Sequence, residues 1–196
     1  MCWNIVTFLQ CTFLFRDLNM NGKFLYFAYG SNLLEKRIHI QNPSAVRAGI
    51  AKLKDYTLDF NTYSKRWKGA AATIVKKKGG HVWGALWTLD NKHMETLDSQ
   101  EGVPYNLYKA LTIEVECPNG ETKTCRVYEQ TNVPESVEKI EDIPDDRKPS
   151  YIYLKTIQDG AKESGLPEDY QKFLQRIPNN GYKGEVDIGL DLNIVN

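Results

Sequence analysis

With 196 residues, the chain is long enough for one domain with a hydrophobic core and short for two. Lys plus Arg and Asp plus Glu each number 25, so formal net charge is zero and no strong field draws nucleic acid or an acidic membrane. The four cysteines (Cys2, Cys11, Cys117, Cys125) include no C-x-x-C pair and only three histidines accompany them, so no zinc-ligand spacing is present.

Residues 1–15 are apolar and aromatic, but they lack a basic leader and a clear small-residue cleavage site. They are also too short and interrupted to span a bilayer. Arg16-Asp17-Leu18-Asn19 breaks the pattern before Met20. The expectation is an extension over 1–19 outside the core, Met20 as functional start, and one domain over 20–196. Membrane attachment through residues 1–15 competes with it on composition alone.

Residues 24–29 predict a buried strand. It ends at Gly30, and Leu33-Leu34-Glu35-Lys36-Arg37-Ile38 predicts a short helix over 33–40. Asn32 stands three residues before Glu35, the spacing of an N-cap with its capping-box partner. A strand turning on Gly-Ser into a helix N-terminus exposes backbone N–H groups at one point, where carboxylates and developing oxyanions bind. The same spacing also suits an ordinary β-turn-α junction.

Residues 47–60 predict a strand or bent strand pair, and the polar, aromatic stretch 61–68 a loop. Residues 70–75 and 81–89 flank Lys78-Gly79-Gly80 and predict a hairpin, with Lys76-Lys77-Lys78 at its solvated turn. Asp90 suits the N-cap of a helix over 91–99 that stops at Gly102 and Pro104. Residues 108–116 and 122–131 alternate about Pro118-Asn119-Gly120, a second hairpin. Cys117 and Cys125 could face each other across it as a disulfide, although free thiols suit a chain with no other mark of secretion. Residues 132–147 are acidic and proline-containing, a loop. Ser150 can cap a helix to about Ser164, stopped by Gly165, and Pro167 opens another to about Arg176. The fold class that follows is α+β: a single domain with a small mixed or antiparallel β-barrel and surrounding helices.

Glu101 follows the helix at 91–99 and precedes a glycine that can adopt unusual backbone angles. Trp83, Trp87, Tyr105 and Tyr108 are close in sequence. A carboxylate among aromatics loses solvation and its pKa rises toward neutrality, which makes it a usable proton shuttle. A glutamate at a helix end can equally be an exposed cap.

From about Phe24 to Gly184 the sequence resembles the gamma-glutamylcyclotransferases. Phe24-Leu25-Tyr26-Phe27-Ala28-Tyr29-Gly30-Ser31-Asn32-Leu33-Leu34 resembles the family's signature loop, and Arg37-Ile38-His39 and Asn42-Pro43-Ser44-Ala45 continue it. Val82-Trp83-Gly84, Gln100-Glu101-Gly102-Val103, Gly160-Ala161-Lys162-Glu163-Ser164-Gly165-Leu166-Pro167 and Tyr170-Gln171 follow in order. The resemblance implies conversion of γ-glutamyl amino acids to 5-oxoproline and a free amino acid, with Glu101 as general acid/base. It implies a substrate-binding loop of Tyr26, Phe27, Ala28, Tyr29, Gly30 and Ser31, completed by Asn32 and Leu33. Tyr153, Tyr108 and Tyr128 resemble further pocket tyrosines. Each tyrosine can instead be core with a satisfied hydroxyl, and Tyr151 competes with Tyr153. The resemblance further implies a cytosolic homodimer acting on a small molecule, with no cofactor or metal.

This chemistry suits these residues. The substrate's α-amine attacks its own γ-carbonyl, so the protein needs no nucleophile of its own. It must move a proton from ammonium to leaving amine and hold an oxyanion. Two rival readings remain: a γ-glutamylamine cyclotransferase, whose signature loop differs somewhat, and a binding module that has lost the chemistry. Glutathione-specific relatives usually carry Leu where Asn32 stands.

Overall fold

The computed structural model describes residues 22–186, so the expectations for the extension at 1–19 lie outside the described residues. Its strands are β1 (Lys23–Ala28), β2 (Val46–Ser64), β3 (Gly69–Asp90), β4 (Tyr108–Glu116) and β5 (Thr122–Gln130). They close into a barrel in the order β1-β3-β2-β4-β5. β1 runs antiparallel to β3, from Lys23↔Asp90 to Ala28↔Ala85, and meets β5 in a parallel step at Tyr26↔Arg126. A strand with neighbours on both edges and cover on both faces reads as a continuous apolar run, and Phe24, Tyr26, Phe27 and Ala28 are all buried.

β2 and β3 pair along nearly their whole length, from Val46↔Thr88 to Ser64↔Gly69. Two expectations change here. Residues 61–64 are strand, and the turn occupies only 65–68. Residues 70–75 and 81–89 are not the arms of a hairpin but two parts of β3, both paired with β2. The Lys78-Gly79-Gly80 signal is absorbed as a bulge. The register passes from Lys54↔His81 to Tyr56↔Lys76, and the Asp55 carboxylate accepts the Gly79 N–H at 2.8 Å. Continuous pairing with β2 satisfies more backbone groups than a local turn would.

The β4–β5 hairpin matches its prediction, from Tyr108↔Gln130 to Glu116↔Thr122. Cys125 lies opposite Ile113, not Cys117, and both thiols are free. The loop at 132–147 is also as predicted. It is fastened by Arg147, which pairs with the buried Asp59 and donates to the Phe60 carbonyl at 3.0 Å.

Among the described residues four α-helices surround the barrel: α1 (Glu35–His39), α2 (Met94–Gln100), α3 (Tyr151–Glu163) and α4 (Glu168–Gln175). The single helix expected over 33–40 is split into a 3-10 turn at Ser31–Leu33 and α1, with Leu34 extended between them. Asn32 therefore caps nothing, and the Glu35 N–H is met by the Glu163 carboxylate at 2.9 Å. Asp90 precedes a 3-10 turn at Asn91–His93 but makes no side-chain cap. Ser150 does cap α3, its Oγ accepting from the Tyr153 N–H at 3.2 Å.

One core joins the barrel to the helices. Phe24, Phe27, Leu58, Phe60, Ile74, Leu86, Trp87 and Leu89 from the strands meet Leu154, Ile157 and Ala161 from α3. Burying each large side chain fully stabilises by about 1.5–3 kcal/mol. α3 lies hard against the turn at Ser31–Leu33. A Cβ on Gly160 would sit 2.4 Å from the Leu34 nitrogen and 2.6 Å from the Leu33 carbonyl carbon, so only glycine permits this approach. That contact fixes the loop from which the site is built.

Candidate active site

Beyond β1 the chain bends at Tyr29-Gly30 into the 3-10 turn, with Leu33 N–H on Gly30 O at 3.0 Å and Leu34 N–H on Ser31 O at 3.1 Å. The turn buries Asn32 to 4% exposure. Its Nδ2 donates to Tyr26 Oη at 3.1 Å and to Glu101 Oε1 at 3.2 Å. Its Oδ1 accepts from Gln100 Nε2 at 3.3 Å, and its carbonyl accepts from Trp87 Nε1 at 3.0 Å. Gln100 is itself held by Asn42 Nδ2 at 2.9 Å. The residue expected to cap a helix instead clamps the carboxylate.

Glu101 ends α2, its N–H bonded to Leu97 O at 3.0 Å. Gly102 follows at φ +68, a left-handed conformation that favours glycine and turns the chain away. The Glu101 side chain lines a cavity of about 40 Å³ together with Tyr26, Tyr29, Gly30, Ser31, Asn32, Ala72, Tyr108, Tyr128 and Tyr153. Burial pushes its carboxyl up to about 7, against the pull of Arg37 and of the Asn32 hydrogen bond, and the nearby Asp98 charge adds to the rise. Of the aromatics near in sequence, Tyr108 lines the cavity and the other three do not. Tyr105 is 79% exposed, and neither Trp83 nor Trp87 lines the cavity.

The hydroxyls divide by what they donate to. Tyr29 donates to Tyr128 O at 2.5 Å, and Tyr108 to Ala72 O at 2.7 Å while accepting from Gln130 Nε2 at 3.1 Å. Tyr128 donates to Asp98, which also takes both ends of the Arg126 fork. Tyr153 accepts the Ala72 N–H at 3.1 Å, and Tyr26 accepts from Asn32. Tyr26 and Tyr153 thus each keep an O–H with no acceptor among the described residues. Burial raises both hydroxyls, Tyr153 to about 12, so they remain protonated donors. Tyr151, the competitor of Tyr153, is half-buried under the Lys183 ammonium and does not line the cavity.

Of the expected loop residues, Phe27, Ala28 and Leu33 are fully buried core and do not line the cavity. Side chains alternate along a strand, so Phe27 points to the opposite face of β1 from Tyr26. Sequence reasoning missed Ala72, Gln130 and the Asp98–Arg126 pair, which only strand register brings close. It also missed a second chamber of about 350 Å³, lined by Arg37, Lys65, Arg66 and Trp67 and sharing Ser31, Glu101, Tyr108 and Tyr153 with the inner cavity. Arg37 stood in a quoted motif, and Lys65-Arg66-Trp67 lay in the stretch read as a polar loop.

A carboxylate with a pKa near neutrality, in a tyrosine-lined cavity, can accept and return a proton at one point. Comparison with known proteins points the same way. Residues 81–174 match the AIG2-like family. Proteins named gamma-glutamylcyclotransferase from Mus musculus and Homo sapiens are 45% and 43% identical to the chain over 167 residues, in each case 83% of both chains. A solved structure of a gamma-glutamyl cyclotransferase superposes with a TM-score of 0.76 at 41% identity, covering 84% of this chain and 93% of that one. Such identity over most of both partners, with the barrel, the turn and the carboxylate in place, means that the chain belongs to the gamma-glutamylcyclotransferase family.

Proposed function

We infer that the protein converts γ-glutamyl amino acids to 5-oxoproline and a free amino acid. The observation that carries this is Glu101: a carboxyl pushed up to about 7, clamped by Asn32 at 3.2 Å where both cavities meet. The substrate's α-amine attacks its own γ-carbonyl. An oriented intramolecular attack reaches an effective molarity of about 10⁵–10⁸ M. Glu101 takes a proton from the ammonium, whose reference pKa is about 8. The new C–N bond closes a five-membered ring. Glu101 then returns the proton to the leaving nitrogen as the old C–N bond breaks.

The tetrahedral oxyanion is held by backbone N–H groups of Ser31 and Asn32, at about 3 kcal/mol per donor. These head a 3-10 turn rather than an α-helix, so local N–H dipoles do the work and the macrodipole adds little. Tyr26 and Tyr153 give their remaining O–H to the substrate. Phe27, Ala28 and Leu33 support the turn from the core. The reading extends to a cytosolic homodimer without a cofactor. Among the described residues no helix is long and apolar enough to cross a membrane. Light scattering that returned only the 22.5 kDa monomer would remove the dimer.

The test is 5-oxoproline release by the purified full chain from γ-glutamyl-alanine, γ-glutamyl-lysine isopeptide and glutathione, with Glu101→Gln as control. Release from the first substrate, lost in the variant, is the expected result. Release from the isopeptide alone would assign a γ-glutamylamine cyclotransferase, and binding without release a module without chemistry.

A further inference from the structure

The proton path above leaves the cations of the larger chamber without a role. Arg37 on α1 is 4% exposed, its Nε is buried with no hydrogen bond, and its side chain forms no ion pair among the described residues. A buried guanidinium without a bonded partner is costly. Its environment is divided: burial and the nearby Arg66 charge disfavour its cationic form, while Glu101 favours it. Arg66 and Lys65 are exposed and line the same chamber, so three cations face the single carboxylate of Glu101.

Glu101 belongs to both cavities, so the scissile bond lies at their boundary. The glutamyl half occupies the tyrosine-lined side, and the leaving half extends into the cationic chamber. In an α-amino acid the carboxylate is two bonds from the leaving nitrogen, and so would enter the chamber that Arg37 and Arg66 line.

We propose that Arg37 and Arg66 bind the α-carboxylate of the leaving amino acid and so select γ-glutamyl amino acids over γ-glutamylamines, which lack a carboxylate two bonds from the leaving nitrogen. The planar fork of a guanidinium suits a carboxylate, and an anion between the two arginines relieves both the bare burial of Arg37 and the repulsion between them. This rests on the reaction assigned above.

The test compares kcat/KM for γ-glutamyl-alanine with that for γ-glutamyl-ethylamide, the same molecule without its leaving-side carboxylate. It uses the full-length protein and its R66S and R37Q variants. The wild type should favour the alanine substrate, and R66S should lower that ratio by about tenfold, the size of one charge-assisted hydrogen bond. R37Q, if it folds, should lower it further. Exposed Arg66 carries the decision should buried Arg37 prove essential for folding. An unchanged ratio in R66S overturns the two-arginine site. So does an R37Q variant that loses both substrates equally, because Arg37 would then serve the glutamyl half. A wild type that releases 5-oxoproline from neither substrate would instead overturn the reaction itself, and this proposal with it.

Discussion

Replacing Glu101 by Gln should slow turnover by orders of magnitude and stabilise the fold in a pH-dependent way. The carboxyl is pushed from 4.5 to about 7, so the folded state holds a proton that the unfolded chain has already released. A group raised in the fold contributes its stability fully below the unfolded pKa and loses it as pH climbs through the folded one. The gap between 4.5 and about 7, at about 1.36 kcal/mol per pH unit, amounts to about 3 kcal/mol of penalty above pH 7. Gln keeps the shape and an acceptor oxygen for Asn32 Nδ2, but carries no charge to desolvate. Denaturant titrations of both proteins at several pH values measure the difference. It should be small at the acid end and grow to about 3 kcal/mol above pH 7, or about 6–12 °C in Tm. At the same pH, kcat should fall by about 10²–10⁴. A stability difference that did not change with pH, or that shrank as pH rose, would refute the raised carboxyl.

Three further outcomes follow from the same geometry. The acid limb of kcat/KM should lie near pH 7, because the reacting form needs an ionised Glu101. Asn32→Ala removes a bond that holds the carboxyl down and should move the limb upward, whereas a wild-type limb near 4.5 would contradict the site. Gly30→Ala should fold, since Gly30 has φ −105. The new Cβ would lie 3.3 Å from Tyr153 Oη, displacing that hydroxyl and lowering kcat/KM by about tenfold, or about 1.4 kcal/mol; normal kinetics would remove Tyr153 from the cradle. Tyr153→Phe strands the buried Ala72 N–H at a cost of about 1–3 kcal/mol and lowers kcat/KM, whereas Tyr151→Phe should leave both nearly unchanged; equal effects would show that the register was misjudged.

The sequence by itself determined the features that are short-range in origin. The apolar run at 24–29, the alternating arms about Pro118-Asn119-Gly120, the Ser150 cap and the stop at Gly102 depend on neighbours a few residues apart, and each formed as expected. The signature loop and Glu101 were legible for the same reason, as contiguous motifs. Tertiary structure decided the rest. Gly79-Gly80 became a bulge because β2 offered continuous pairing to β3. Asn32 left its helix-capping spacing because Glu101, 69 residues away, needed a donor. Of the aromatics near Glu101 in sequence only Tyr108 joined the desolvating tyrosines, and the others came from β1 and the turn after it, β5 and α3, because barrel closure sets which faces meet. Phe27 and Leu33 share the loop's motif but turn into the core, since strand alternation and the close approach of α3 give a contiguous motif two faces. The motif fixed which chemistry is available. Only the closed barrel, by bringing distant chain segments to one buried point, fixed the surroundings that raise a glutamate to a usable pKa.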